Sequence, residues 1–273
     1  PALAAQARFQ MLETWLRALP AAALERTPWL RYWFGVCRMQ FNPLEAQGHF
    51  EQAYAAFTRS DEAMGLYASW SGAVTCIYIV WREFASLSPW LAALEDLRRR
   101  HPQWPSPEIE LRVVLGAVMG YSGHRPDHPD LRAWLTHAQR LIGSATDDVL
   151  RIQLAAQTAI TLYWLGESGQ AALTLKAVEH AGNNIKNAPI TAVWWSVISM
   201  INCWQRLEPR ESLQKVDQAL LSAHASGVHL MDSFLHGEAI YAALAIGDMR
   251  VAEKHLHAMS VALPPNSFIF AAF

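Results

Sequence analysis

The sequence has little charge of either sign and almost no excess of one sign over the other. Lys and Arg number 22 against 24 Asp and Glu, which gives a formal net charge of −2 over 273 residues. Proteins that bind nucleic acid directly rely on clustered basic side chains that neutralise phosphates. This balance gives no electrostatic reason to approach a polyanion, so we expect no direct contact with nucleic acid.

Cysteine is scarce, and its placement argues against a disulfide framework or a CxxC metal site. Cys37, Cys76 and Cys203 are odd in number and far apart, and each is embedded in an apolar stretch. A disulfide framework needs pairs, and a metal framework needs closely spaced ligands. We therefore interpret all three as small buried side chains in a reducing compartment. Because the chain also opens without a basic, apolar leader, we expect a cytoplasmic protein.

Sequence signatures of catalysis are missing as well. The chain has no G-x-S-x-G elbow, no H-E-x-x-H pair and no G-x-x-x-x-G-K-[ST] phosphate loop. Imidazoles and carboxylates collect at residues 123–130, with His137 further on, and raise the question of a divalent metal. No cysteine or spaced histidine pair completes a ligand shell there, so we interpret the segment as a solvated loop whose Asp residues cap the next helix. We predict no enzymatic activity, no metal and no cofactor.

Apolar and aromatic side chains, by contrast, are abundant. The chain is 52% hydrophobic and contains 12 tryptophans, enough for a continuous core. No alternating run bounded by turn dipeptides predicts a strand, whereas Phe50, Ala53 and Phe57 fall on one face of a helix. The most apolar run, Ala188–Trp204, contains polar residues and barely reaches bilayer-crossing length, so we expect a buried helix. The pattern predicts an all-α protein.

The predicted helices recur with a period of about 41 residues, which is typical of a solenoid of helix pairs. Three turns of similar sequence lead into second helices at Ala46, Ala171 and Ala252. These alanines are 125 and 81 residues apart, about three and two periods. The missing second-helix starts fall where the period requires them, at Leu87, Leu131 and Leu213. We therefore predict a right-handed α-solenoid of about six tetratricopeptide-like helix-turn-helix repeats.

Helix-start signals divide the chain into a lead-in, six repeats and the start of another. A side-chain oxygen followed by proline marks starts at Thr27-Pro28, Ser88-Pro89 and Ser106-Pro107, with a weaker signal at Asn187–Pro189. The predicted ranges are 1–26 for the lead-in, 27–64, 65–105, 106–146, 147–187, 188–229 and 230–265 for the repeats, and 266–273 for the further start. The missing initiator Met and the apolar end predict a piece of a longer protein.

A family resemblance is carried by the beginning of the chain. Leu12–Pro20 reads LETWLRALP, Thr27–Leu30 reads TPWL, and Asn42–Ala46 reads NPLEA. This resembles the start of the tetratricopeptide-repeat region in MalT-like signal-transduction ATPases and LuxR-type transcriptional regulators, which share W-L-x-x-L-P followed by x-P-x-L. In that family an upstream nucleotide-binding module stays inactive until a small molecule or a protein engages the repeats. The resemblance implies that this chain is a bacterial sensor module, with any ATPase or output domain outside it.

The first helix of each repeat is expected to line a concave wall where an effector binds. Aromatic faces and side-chain amides there would supply stacking surface and orienting hydrogen bonds. The predicted ligand-binding residues are Gln153, Tyr163, Trp164, Trp195, Asn202, Gln205, Phe234 and Tyr241. Each aromatic could instead be core between repeats. Trp194 and Trp195 project about 100° apart on a helix, so we expect one of them to line the groove.

Other roles are compatible with the same pattern. The chain could be a protein–protein scaffold that holds a peptide or subunit in the groove without any small molecule. It could also self-associate through terminal repeats, because a truncated solenoid lacks polar caps. The histidines near the end of the chain could tune a response to pH, although scattered surface histidines are commoner; they are His224, His229, His236, His255 and His257.

Overall fold

The computed structural model describes residues 9–81, 83–185 and 188–262. Helices are the regular elements of these ranges, which contain no strand, and this confirms the all-α prediction. The bounds are α1 Phe9–Arg17, α2 Ala21–Arg26, α3 Pro28–Arg38, α4 Pro43–Ser60, α5 Ala63–Val80, α6 Ser88–Arg100, α7 Pro107–His124, α8 Pro129–Ser144, α9 Asp148–Trp164, α10 Ser168–Lys176, α11 Glu179–Asn183, α12 Pro189–Gln205, α13 Pro209–Ser226, α14 Asp232–Ala245 and α15 Met249–Ala262. A short 3-10 turn, Phe84–Leu87, precedes α6.

The chain forms two compact units, of which the first ends at Gln157 and the second begins at Thr158, within α9. In the first unit α3 packs on α4, α4 on α5, α5 on α7 and α7 on α8. The large side chains at the centre of this core are fully buried, among them Phe50, Phe57 and Trp70. The Trp70 indole nitrogen also donates to the backbone oxygen of Trp90 at 2.6 Å, which satisfies its polar edge.

Helix α5 is apolar all round because neighbours cover it on several sides. Ala63–Val80 is long and apolar enough to cross a membrane, with a mean hydropathy of 1.4, but 72% of it is buried inside the protein. A helix at the centre of a core has the same composition as a membrane span. The three cysteines are also buried and free, as predicted: Cys37, Cys76 and Cys203.

In the second unit the helices from α12 to α15 each pack on the next, and the first helices of these two pairs also touch. Helix α12 packs on α13, α13 on α14 and α14 on α15, while α12 also contacts α14. Such nearest-neighbour packing is typical of stacked helix pairs, in which each pair hides the apolar face of the one before. The predicted start of a further repeat lies outside the described residues.

Of the three predicted helix starts, those at Pro28 and Pro107 are confirmed and that at Pro89 is one residue late, but only one of the three side-chain caps forms. The Ser106 hydroxyl accepts from the Ile109 amide at 3.2 Å, which caps α7. Thr27 is the N-cap residue of α3 but makes no side-chain capping bond, and its amide closes α2 on the Ala23 oxygen. Ser88 lies inside α6, since the preceding 3-10 turn already supplies a carbonyl to its amide. The weaker signal begins at Asn187, which is outside the described residues.

Candidate functional site

The first helices of the second unit end in the same kind of turn. Their closing bonds run from the Glu167 amide to the Leu162 oxygen at 2.8 Å, from Glu208 to Cys203 at 2.9 Å, and from Asp248 to Ala243 at 2.9 Å. Each bond spans five residues, as in a Schellman cap. The residue in the left-handed backbone region is Gly166, Leu207 or Gly247 respectively. Successive pairs therefore present equivalent ends.

Side chains from two of these ends bond to each other. The Tyr163 hydroxyl at the end of α9 donates to Asn202 Oδ1 on α12 at 2.7 Å, across 39 residues of sequence. The hydroxyl of Ser168, the first residue of α10, donates to Gln205 Oε1 at 3.3 Å. Burial is the main cause that raises the pKa of Tyr163, to about 12, so the phenol stays a neutral donor. The ends of α9 and α12 are thus joined by polar contacts.

An aromatic contact continues the same series to the third end. The rings of Trp204 on α12 and Tyr241 on α14 are stacked, with centroids 6.2 Å apart and planes inclined by 25°. We call this set of side chains the end row; its members are Tyr163, Trp164, Asn202, Trp204, Gln205 and Tyr241. Trp164 is 50% exposed and Gln205 is exposed, so the row has accessible stacking and amide groups.

Of the predicted residues, Tyr163 and Asn202 bond to each other, and Trp164 directly follows Tyr163. Gln205 and Tyr241 belong to the end row through contacts with Ser168 and Trp204. Gln153, Trp195 and Phe234 are placed elsewhere. Gln153 is half-buried and belongs to the first unit, while Phe234 is half-buried near the beginning of α14. The interpretation of these two as ligand-binding residues stays a prediction.

Trp195 is a core residue. Only 7% of its surface is exposed, and its indole nitrogen donates to Asn183 Oδ1 at 2.9 Å. Its ring lies over Gly182 so closely that a Cβ there would be 2.4 Å from the ring. Of the adjacent tryptophans it is Trp194 that keeps partial exposure, so we leave Trp195 out of the candidate site.

Sequence reasoning missed Trp204 and Ser168. Trp204 is two residues from Asn202, which places their side chains about 200° apart around α12. The helix uses one side to contact Tyr163 and the other to contact Tyr241, so a count along a single face finds only one of the two contacts. Ser168 is the first residue of α10, whereas the count followed only the first helix of each pair.

The histidine-rich segment of the third predicted repeat uses its side chains in local contacts. His128 Nδ1 accepts from the Asp130 amide at 3.3 Å and so caps α8, a role that we had assigned to Asp. His137 Nε2 lies 2.6 Å from Glu110 Oε1. His128 therefore caps a helix, and His137 pairs with a carboxylate of the neighbouring helix α7.

A pair of histidines connects α14 with α15. The Nδ1 atoms of His236 and His255 are 2.9 Å apart, so one ring donates and the other accepts. Burial is the main cause that lowers the pKa of both rings. Lys254 lowers them further, while Asp232 opposes the shift at His236 and Asp217 opposes it at His255. Protonating both rings would place two positive charges side by side in a largely buried contact.

We expect this pair to make the second unit less stable in acid. Because both pKa values are lower in the folded chain than in the unfolded chain, the unfolded chain binds more protons as pH falls below about 6.5. Buried Glu238 acts in the opposite direction, since burial raises its pKa to about 7. We therefore compare the fall in Tm between about pH 7.5 and about pH 5.5 in the variant with that in wild type. This fall should be smaller in His236→Gln than in wild type. An equal loss in both would contradict the expectation, and His257→Gln on the exposed side of α15 serves as the control.

The end row is the best candidate for a functional site in the described residues. It combines an exposed indole, an exposed amide and a half-buried phenol from helices of successive pairs. Its donors and acceptors are held by contacts between helices rather than within one loop. Comparisons of the chain with protein-family models, with curated proteins and with solved structures give no match.

Proposed function

We propose that this chain is the effector-sensing or partner-binding repeat domain of a bacterial signal-transduction ATPase or transcriptional regulator, and that its effector binds on the end row. The observation that carries the proposal is the contact of Tyr163, Asn202, Trp204 and Tyr241 across successive helix pairs. The sequence motif between Leu12 and Ala46 supports the assignment to a regulator.

The chemistry of the row suits a ligand that offers a flat face together with polar edges. The indole of Trp164 supplies exposed stacking surface, and the amide of Gln205 supplies hydrogen bonds that fix orientation. Sugars, nucleotides and aromatic metabolites have this combination. The ligand class thus follows from the same side chains that the sequence pattern indicated.

Binding on the row would also explain how a signal travels. A ligand that touches Trp164, Gln205 and Tyr241 at once contacts α9, α12 and α14, so its affinity depends on how these helices are arranged. A ligand shifts a conformational equilibrium only by its difference in affinity for the two states. A ligand on the end row would have such a difference in affinity wherever the two states differ in the arrangement of these helices.

A polypeptide partner is the second candidate, and a specific observation favours it. Large apolar side chains are exposed at the same helix ends: Trp164 is 50%, Leu207 85% and Leu244 48% exposed. A contiguous exposed apolar patch is typical of a protein interaction site, and these three side chains belong to equivalent ends of successive helices. In this version the chain is a scaffold without a small-molecule ligand.

The two versions are separated by binding measurements on the whole chain. We expect a thermal-shift and calorimetry screen of sugars, nucleotides and aromatic metabolites to give a binder whose affinity falls at least about tenfold in Trp164→Ala or Gln205→Ala. Trp15→Ala is the matched control, because Trp15 is 59% exposed and belongs to the first unit.

Failure of every compound would contradict the small-molecule version. A partner recovered from lysate by wild type but not by Trp164→Ala would then support the scaffold. Binding of either kind that survives Trp164→Ala and Gln205→Ala would contradict the end row as the site.

A further inference from the structure

Metal-ligating groups converge at the turn between α12 and α13, outside the end row. The Cys203 sulfur and one carboxylate oxygen each from Glu208 and Glu211 all lie within 4.8 Å of one another. The backbone of the turn between α12 and α13 brings these three side chains together. The bond from the Glu208 amide to the Cys203 oxygen, 2.9 Å long, folds the turn back on the end of α12, and Glu211 follows in the first turn of α13.

Part of this cluster lacks a hydrogen-bond donor. Glu208 Oε1 accepts from Arg206 at 2.7 Å, but Glu208 Oε2 is buried and has no hydrogen-bond partner among the described residues. Buried polar atoms are almost always satisfied in proteins, so the unpartnered Glu208 oxygen, in a group with the Cys203 sulfur, points to a further ligand.

The donor atoms of the cluster, one sulfur and two carboxylate oxygens, are of the kind that bind a cation. Burial, followed by the negative charge of Glu211, raises the pKa of Cys203 to about 11, so the thiol is protonated in the structure as it stands. Lys215 lies 3.4 Å from Glu211 Oε1 and Arg206 lies against Glu208 Oε1, so each carboxylate already has a basic group on one oxygen. A divalent cation would take the place of the proton through which the Cys203 thiol now bonds to Glu211.

We propose that Cys203, Glu208 and Glu211 bind a divalent transition-metal ion, with Zn²⁺ as the best fit. Thiolate sulfur selects against Mg²⁺ and Ca²⁺, whereas zinc accepts sulfur and carboxylate oxygen in one tetrahedral shell. Three protein ligands leave a fourth position for water or another donor. On binding, the Cys203 S–H bond breaks, its proton goes to solvent, and a sulfur–metal bond forms without any change in oxidation state.

The ion has a route into this position from solvent. Glu211 is exposed and lines a shallow surface depression on α13 together with Gln214, Lys215 and Gln218. The bound ion would tie the last turn of α12 to the first turn of α13. The inference does not rest on the proposed function, because Cys203, Glu208 and Glu211 are not members of the end row.

Cobalt titration of the reduced whole chain tests the site, because a thiolate–cobalt bond gives a charge-transfer band in the near ultraviolet. We expect this band to saturate at one ion per chain, to be displaced by Zn²⁺ and to appear with the release of about one proton. Cys203→Ser should abolish the band, and Glu208→Gln and Glu211→Gln should each weaken Co²⁺ binding at least about tenfold. Cys37→Ser and Glu253→Gln are the matched controls and should bind as wild type does.

The proposal fails if cobalt gives no charge-transfer band, if the band persists in Cys203→Ser, or if neither glutamine variant weakens binding. Should Cys203→Ser not fold, X-ray absorption of the zinc-loaded wild type decides. A shell with one sulfur at about 2.3 Å and oxygens at about 2.0–2.2 Å supports the site. A shell of oxygen and nitrogen alone overturns it.

Discussion

Replacement of Trp195 by alanine should destabilise the protein by about 3–5 kcal/mol, the range for removing a large aromatic side chain from a core. The ring is 7% exposed, packs on Gly182 and donates to Asn183, so its loss leaves a cavity and an unpaired amide oxygen. Trp164→Ala in the same unit should change stability little, because half of that ring is already in water.

Urea unfolding followed by circular dichroism measures this difference. The comparison also separates the two roles that the sequence left open for these tryptophans. Trp195→Ala should lower stability, whereas Trp164→Ala should lower binding. Equal losses of stability in the two variants would contradict the assignment of Trp195 to the core and of Trp164 to the surface.

Gly65→Ala should cost about 1–3 kcal/mol, the usual penalty for overpacking a core. A Cβ at Gly65 would lie 2.4 Å from the ring of Phe57, which is fully buried and has little room to move. Gly48 lies in the neighbouring helix α4, and a Cβ there would have no atom within 4 Å. Gly48→Ala should therefore stabilise the chain by about 0.5–1 kcal/mol, because alanine loses less backbone entropy in a helix.

Paired thermal and urea unfolding of these variants gives both signs in one experiment. A stabilising Gly65→Ala would contradict the close packing of α4 on α5. A destabilising Gly48→Ala would show that the outer face of α4 is covered rather than open.

Much of the fold could be predicted because buried side chains recur at helical spacing. Phe50, Ala53 and Phe57 form the buried stripe of α4, as the sequence indicated. In the fourth predicted repeat the stripe of Ala171, Leu175 and Val178 is buried too, but the helix is interrupted between Lys176 and Glu179. Neither proline nor glycine marks that break. The short helix α11 packs on α12, where Gly182 meets Trp195, so a tertiary contact shapes the chain there.

The site could be predicted only in part. Counting along the first helices found Tyr163, Asn202, Gln205 and Tyr241, because equivalent positions in stacked pairs lie on the same side. The count could not tell Trp194 from Trp195, since adjacent residues differ only in which neighbour they face. Cys203 was correctly interpreted as buried. Its proximity to Glu208 and Glu211 depends on the turn after α12, in which Leu207 adopts a left-handed backbone without the usual glycine.

Hydrogen–deuterium exchange of the whole chain, with and without the strongest binder from the screen, tests the binding role of the end row most directly. Amide exchange reports local opening, which a bound ligand suppresses where it makes contact. We predict that protection concentrates at the C-terminal ends of α9, α12 and α14 and in the turns that follow them. Protection confined to other helices, with these three ends exchanging as in the free chain, would contradict the account.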